Sequence, residues 1–181
     1  SGAIVLARNA NTARWLTMAF KERDTRKLYW GIVNGVPENT SGTISRRLEK
    51  RYSKAGDKVI VVKSPYGQSA KTNYKIIACA AQSVTWLAME PFTGRTHQLR
   101  VHVAEVLKTP ILGDGKYGSG NAFLDTRSIS RELHLHARKV RINGPNGRWI
   151  EANAPLPEHM VSTFRYFGFD ERKGEIGFLE T

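Results

Sequence analysis

The feature that most narrows the folds open to this chain is that its extended runs follow one another across turns and not across helices. "RKLYWGIVNGV" alternates with Leu28, Trp30 and Ile32 on one face and Tyr29 on the other, the two-residue repeat of a strand. "TISRRLEKRYSKAGDKVIVV" reads as a short basic strand, a turn at Ala55 to Asp57 and a second strand. "AKTNYKIIACA" and "SVTWLAMEP" predict a hairpin around Ala81 to Ser83, and "RELHLHARKVRINGPNGRWIEANAPLP" gives two or three strands about a Pro-Asn-Gly turn. Strands joined as hairpins, with few crossover helices, predict an α+β fold with a mixed, largely antiparallel sheet flanked by helices, not a doubly wound α/β fold.

Helical periodicity is confined to three stretches. Asn9 or Asn11 is placed to cap "NTARWLTMAFKER", where Ala13, Leu16 and Phe20 recur at helical spacing. From Thr96, Leu99, Val103 and Val106 predict an amphipathic helix ending before Pro110, and "PEHMVSTFRYFGF" predicts a closing one. "AIVLA" reads as a buried opening strand, and "ENTSG", "KSPYGQS" and "PILGDGKYGSGNAF" read as loops. The 181 residues fit one domain that can bury a core without disulfides, with no repeat, low-complexity tract or linker. The single cysteine, Cys79, is expected to be a packed, reduced thiol without an activating neighbour.

Charge points to the partner. Lysine and arginine total 28 against 16 aspartate and glutamate, a formal charge of +12 spread along the chain and not gathered in a tail. Such a surface rewards phosphate contacts, so a nucleic acid is the expected partner, and a merely basic soluble protein is the alternative. No apolar run is long enough to span a membrane, and the first residues lack a signal-peptide pattern, so a cytosolic or organellar compartment is expected. No obligate protein partner is evident.

Chemistry concentrates in "PFTGRTHQLRVH", residues 91 to 102. Its arginines stand at the expected mouth of a helix, where free N–H groups and the dipole favour an anion: a phosphate or a catalytic carboxylate. Zinc is not expected, because His97 and His102 are five apart on a helix and diverge, with no cysteine or acidic ligand beside them. "GDGKYGSG" matches neither nucleotide-binding glycine pattern, and no serine-nucleophile motif is present.

"TGRTHQLRVH", then "PILGDGKYG", "LHLHA" and "APLP", in that order and spacing, resemble the RluA/RluC/RluD-type family of RNA pseudouridine synthases. "RKLYWG" is similar to the family's basic-x-Tyr-x-Ala segment, with Gly31 in place of Ala, and "AKTNYKI" is similar to its strand before the arginine motif. The resemblance runs from Ser1 to about Pro157. It implies the pseudouridine synthase catalytic fold over residues 1–181, acting on RNA without a cofactor, with ribosomal RNA favoured and transfer RNA as the alternative. The family's nucleophilic aspartate lies in a His-Arg-Leu-Asp-x-x-Thr-Ser-Gly motif, of which "SG" at the start of this chain resembles the end. That aspartate is therefore expected four positions before Ser1, in a longer protein that also has room for an upstream S4-like RNA-binding domain.

The resemblance further implies that Arg95 pairs with that carboxylate and that Tyr29 stacks on the flipped uracil and removes its C5 proton. Leu135 is either the apolar floor under the base or a packed sheet leucine. Thr96, His97, Gln98 and Arg100 read as RNA contacts or supports behind them, and Lys116 and Tyr117 as residues of a cleft-lining loop. Asp114, the conspicuous carboxylate nearby, falls in a structural turn by the same resemblance. The rival from another class is an RNA-binding module with this fold and incomplete chemistry; a metal-dependent phosphodiester enzyme lacks clustered carboxylates.

Overall fold

The computed structural model describes residues 1–22, 25–52 and 56–179. Arg23, the end of the first expected helix, and Ala55, the start of the expected turn, lie outside them. The strands are β1 (Thr25–Asn34), β2 (Ser41–Arg51), β3 (Lys58–Val62), β4 (Gln68–Ala80), β5 (Val84–Pro91), β6 (Leu135–Asn143) and β7 (Trp149–Asn153). They form one sheet in the order β3-β2-β4-β5-β1-β6-β7, every neighbouring pair antiparallel. This is the α+β architecture that the hairpin pattern predicts.

The alternation along β1 separates two layers. Leu28, Trp30 and Ile32 join Trp86 and Ala88 of β5 on one face, covered by α3 (Glu158–Phe167) through Met160 and Phe164. Trp30 and Trp86 meet edge-on at 4.8 Å, and Trp86 leans on Phe164 at 4.6 Å, a favourable aromatic geometry. Tyr29, Val33, Leu87 and Met89 face the other way, under Leu99 and Val103. Every residue of β5 is buried because both of its faces are covered. Helix α1 (Ala10–Glu22) is capped by Asn9, whose Oδ1 accepts from the Thr12 N–H at 2.9 Å, and it rests on Val140 and Ile142.

Four expectations need correction. "AIVLA" is not a buried strand: Gly2 makes one parallel bridge to Ala137, and Ile4 and Leu6 are exposed while Ala3 and Val5 face α1's cluster. Phe20 is exposed on α1, and Ala19 takes the inward position. Cys79 is exposed, with Sγ 3.7 Å from Thr85 Oγ1, since β4 turns it away from the core. The helix after Thr96 is α-helical only over α2 (Gln98–Val101) and continues as a π-helical turn, His102–Val106.

Two of the three buried histidines, His102 and His134, are held neutral, each pushed down to about 4 chiefly by burial, with Arg46 adding for His102 and His159 for His134; burial lowers the third, His136, as well. His102 Nδ1 lies 2.9 Å from Thr72 Oγ1; His134 sits between the Glu132 carbonyl and Thr163 Oγ1, joining β6 to α3. The unfolded chain protonates them near their ordinary value, so it binds the extra protons. Stability is therefore full above about pH 6.5 and falls as the pH drops to about 4, by up to about 3 kcal/mol per histidine. Urea titrations between pH 7 and 4 should show this slope, and His134→Gln should make it shallower.

Candidate active site

The site grows out of β1, the β5–α2 turn and the start of β6. After Pro91 the chain must leave a fully buried strand and enter a helix within a few residues, and the side chain of Gln98 makes that turn rigid. Its Oε1 accepts from Thr93 Oγ1 at 2.7 Å and from the Arg95 N–H at 3.1 Å. Its Nε2 donates to the Lys71 carbonyl at 3.0 Å and to Thr72 Oγ1 at 2.9 Å. All four hydrogen-bonding sites of a buried amide are thus used. Thr93 Oγ1 also accepts from the Lys71 N–H, so β4 and the turn are locked together.

This locking replaces the open helix mouth that the sequence suggests. The Arg95 N–H is engaged by Gln98, the Gln98 N–H donates to the Arg95 carbonyl, and His97 sits in a left-handed conformation with φ 53°. Positive charge is offered by the Arg95 side chain, not by unpaired amides of a four-residue helix. Arg95 is exposed, and its Nε is steered by the Ser69 carbonyl at 3.1 Å.

Arg95, Tyr29 and Leu135 converge on one cavity of about 240 Å³, which His97, Gln98 and Arg100 also line. Larger hollows of about 490 and 440 Å³ lie beneath the C-terminal segment, away from these residues. Tyr29 is half-buried, and burial raises its phenol above the ordinary value, keeping it protonated at neutral pH. Lys27, two positions earlier on β1 and so on the same face, lines the cavity too. Burial lowers its ammonium, partly offset by the charge of Glu90. In the sequence Lys27 stands out only as the basic member of the basic-x-Tyr-x-Ala segment, with no site role; its two-residue spacing from Tyr29 carried the signal.

The remaining predicted residues form a brace behind the cavity. Arg100 binds Asp114 through two hydrogen bonds of 2.8 and 2.7 Å, with the carboxylate fully buried. That hydrogen bonding raises the Arg100 guanidinium further, and its charge is spent inside the protein. Asp114 also accepts from the N–H groups of Lys116 and Tyr117, which makes it the turn residue expected. Tyr117 OH lies 2.8 Å from His97 Nδ1 and accepts from the Val59 N–H. Gln98 and Arg100 are therefore supports, His97 and Tyr117 form a connected pair, Thr96 is exposed, and Lys116 is exposed on its loop. Gly113, with φ +79°, seats this loop, because a Cβ there would overlap the Glu132 carbonyl. His97 and His102 do diverge, the latter buried against Thr72. Among the described residues no group of three or more His, Cys, Asp or Glu is gathered as a metal site, and no helix is long and apolar enough to cross a membrane.

A half-buried tyrosine, a steered arginine and a sheet leucine thus line one cavity beside a braced, basic loop. Comparison with known proteins gives the class. Residues 1–105 match the family model described as RNA pseudouridylate synthase. A Zymomonas mobilis protein named as an uncharacterized RNA pseudouridine synthase is 40% identical over 159 residues, covering 87% of this chain and 69% of that one. The ribosomal large subunit pseudouridine synthase D of Borreliella burgdorferi is 36% identical over 161 residues, covering 89% and 47%. The solved structure of human RNA pseudouridylate synthase domain containing 4 superimposes with a TM-score of 0.72 at 25% identity, covering 88% of this chain and 69% of that one. The chain belongs to the RNA pseudouridine synthase family, of the RluA/RluC/RluD type. It spans about half the length of several of its relatives.

Gln98→Ala should leave the Arg95 N–H unpaired and remove one of the two donors to the Lys71 carbonyl, which keeps the Phe92 N–H, and cost about 1–3 kcal/mol of stability. Gln98→Glu should cost a similar amount, because a carboxylate cannot donate to that carbonyl. Chemical denaturation of both variants checks this.

Proposed function

We propose that this chain is the catalytic core of an RNA pseudouridine synthase that isomerises specific uridines, large-subunit ribosomal RNA being the first substrate and transfer RNA the alternative. The observation that carries the reading is the convergence of Tyr29, Arg95 and Leu135, from three distant parts of the sequence, on one cavity.

The reaction breaks the bond from ribose C1′ to uracil N1 and joins C1′ to C5; the C5 proton leaves and N1 gains one. No electrons are exchanged, so no redox cofactor is required. Leu135 supplies an apolar face under the uracil and Tyr29 a ring against it. The Tyr29 oxygen takes the C5 proton once C5 has bonded to C1′, when that proton has become acidic. Because burial keeps this phenol protonated, it acts as a relay, passing its own proton on as it accepts the other. Arg95 holds the nucleophilic carboxylate ionised and oriented.

The carboxylate belongs to the aspartate expected four positions before Ser1. The start of the chain supports this placement: Ser1 Oγ lies 3.0 Å from His136 Nδ1, and the Ser1 carbonyl accepts from the Ala137 N–H, beside Leu135. Four residues reach at most about 14 Å, enough to return a side chain to the cavity that Leu135 lines. An S4-like module further upstream and a cytosolic site of action fit the same reading.

Nucleoside analysis of ribosomal RNA incubated with protein that includes the upstream segment should show new pseudouridine, and replacing the aspartate by alanine should abolish it. Tyr29→Phe should lower kcat about 10²–10⁴-fold with KM changed little. Arg95→Lys should lose about 10²-fold or more, because a point charge does not replace a planar fork.

A further inference from the structure

Beyond the uridine cavity, on the other side of Arg95 and Thr96, lies a second cleft of about 360 Å³. Its rim carries Tyr52, Tyr66, Lys50 and Gln68, and Arg95 lines both hollows. Tyr66 is 94% exposed, yet its backbone is fixed. The Tyr66 N–H donates to Ser64 Oγ and the Gly67 N–H to the Ser64 carbonyl. Arg47 Nη1 reaches from β2 to clamp the carbonyls of Pro65 and Gly67 at 3.0 and 2.8 Å. An aromatic ring standing in water on a clamped turn pays little further entropy when something flat lies on it. Tyr52, also exposed, has the Lys50 ammonium 4.6 Å from its ring centre.

From this geometry, and resting on the pseudouridine synthase reading, we infer that the cleft binds the nucleotide next to the target uridine in single-stranded RNA. Its base stacks on Tyr66, and the phosphodiester between the two nucleotides passes Arg95. Three features favour RNA over other partners. Aromatic platforms bordered by cations are how proteins hold unpaired bases without demanding sequence. A duplex would hide the base face that Tyr66 needs. The cleft adjoins the uridine cavity through a shared arginine, as consecutive nucleotides of one strand require.

The test is the affinity of a labelled decauridylate, measured by fluorescence anisotropy at two salt concentrations. Tyr66 is almost wholly exposed, so its replacement leaves the fold alone. Tyr66→Ala should weaken binding roughly 5- to 100-fold, the range for loss of one stacked base, and the ratio should persist at the higher salt. Tyr66→Phe should stay within about twofold of the parent protein, and so should Tyr166→Ala, an exposed tyrosine on α3 across the sheet. The inference is overturned if Tyr66→Ala binds as tightly as the parent, if Phe is as poor as Ala, or if the deficit vanishes with salt. It also falls if the parent protein does not bind the decamer. Pseudouridine formed by the protein with its upstream segment then tells whether the family activity fell with it or stands without this cleft.

Discussion

The side-chain amide of Gln98 is the contact on which the site depends. It sits where β5, buried on both faces, must give way to a helix, and it ties two donors, Thr93 Oγ1 and the Arg95 N–H, to two acceptors on β4, the Lys71 carbonyl and Thr72 Oγ1. In a buried setting each unmet partner costs more than a met one returns, so the four bonds act as one unit and fix the Thr93–Arg95 turn against β4. Arg95 is aimed as a consequence of this packing. A helix dipole contributes little, since α2 is four residues long and becomes a π-helical turn.

Around that turn the protein divides its positive charge by task. Arg100 is committed to a buried carboxylate, Arg47 to the backbone of a surface turn, and Arg26 to Glu90 and the Leu179 carbonyl. Arg95 stays exposed, its Nε donating to the Ser69 carbonyl. A sequence of basic residues therefore looks uniform where the folded molecule is not: Arg95, left exposed, and Arg100, paired with buried Asp114, lie in the same short stretch of chain.

Most of the fold was legible because hairpin turns and two-residue alternation are local signals. The β4–β5 pair, the two faces of β1, the Asn9 cap and the closing helix are all where those signals put them. Legibility failed where burial depends on distant chain. "AIVLA" is apolar enough for a core strand, but only alternate residues find a partner in α1's cluster, and Cys79 lies in an apolar run at the outward end of β4. In the site, the family resemblance put Tyr29, Arg95 and Leu135 forward as candidates, and Asp114 in its turn. Nothing local revealed that Gln98 and Arg100 face inward, since their partners, Lys71, Thr72 and Asp114, come from other elements. Lys27 was legible as the basic member of the basic-x-Tyr-x-Ala segment, and its place on the Tyr29 face puts it in the cavity.

On the proposed reading, a uridine held between Tyr29, Arg95 and Leu135 has its C1′ bond moved from N1 to C5. The most direct measurement is release of tritium from RNA labelled at uridine C5, by protein carrying its upstream segment. Release in step with pseudouridine formation, one tritium for each uridine converted, is what the account predicts. Pseudouridine-free RNA with its tritium intact, under conditions where the protein binds that RNA, would contradict it.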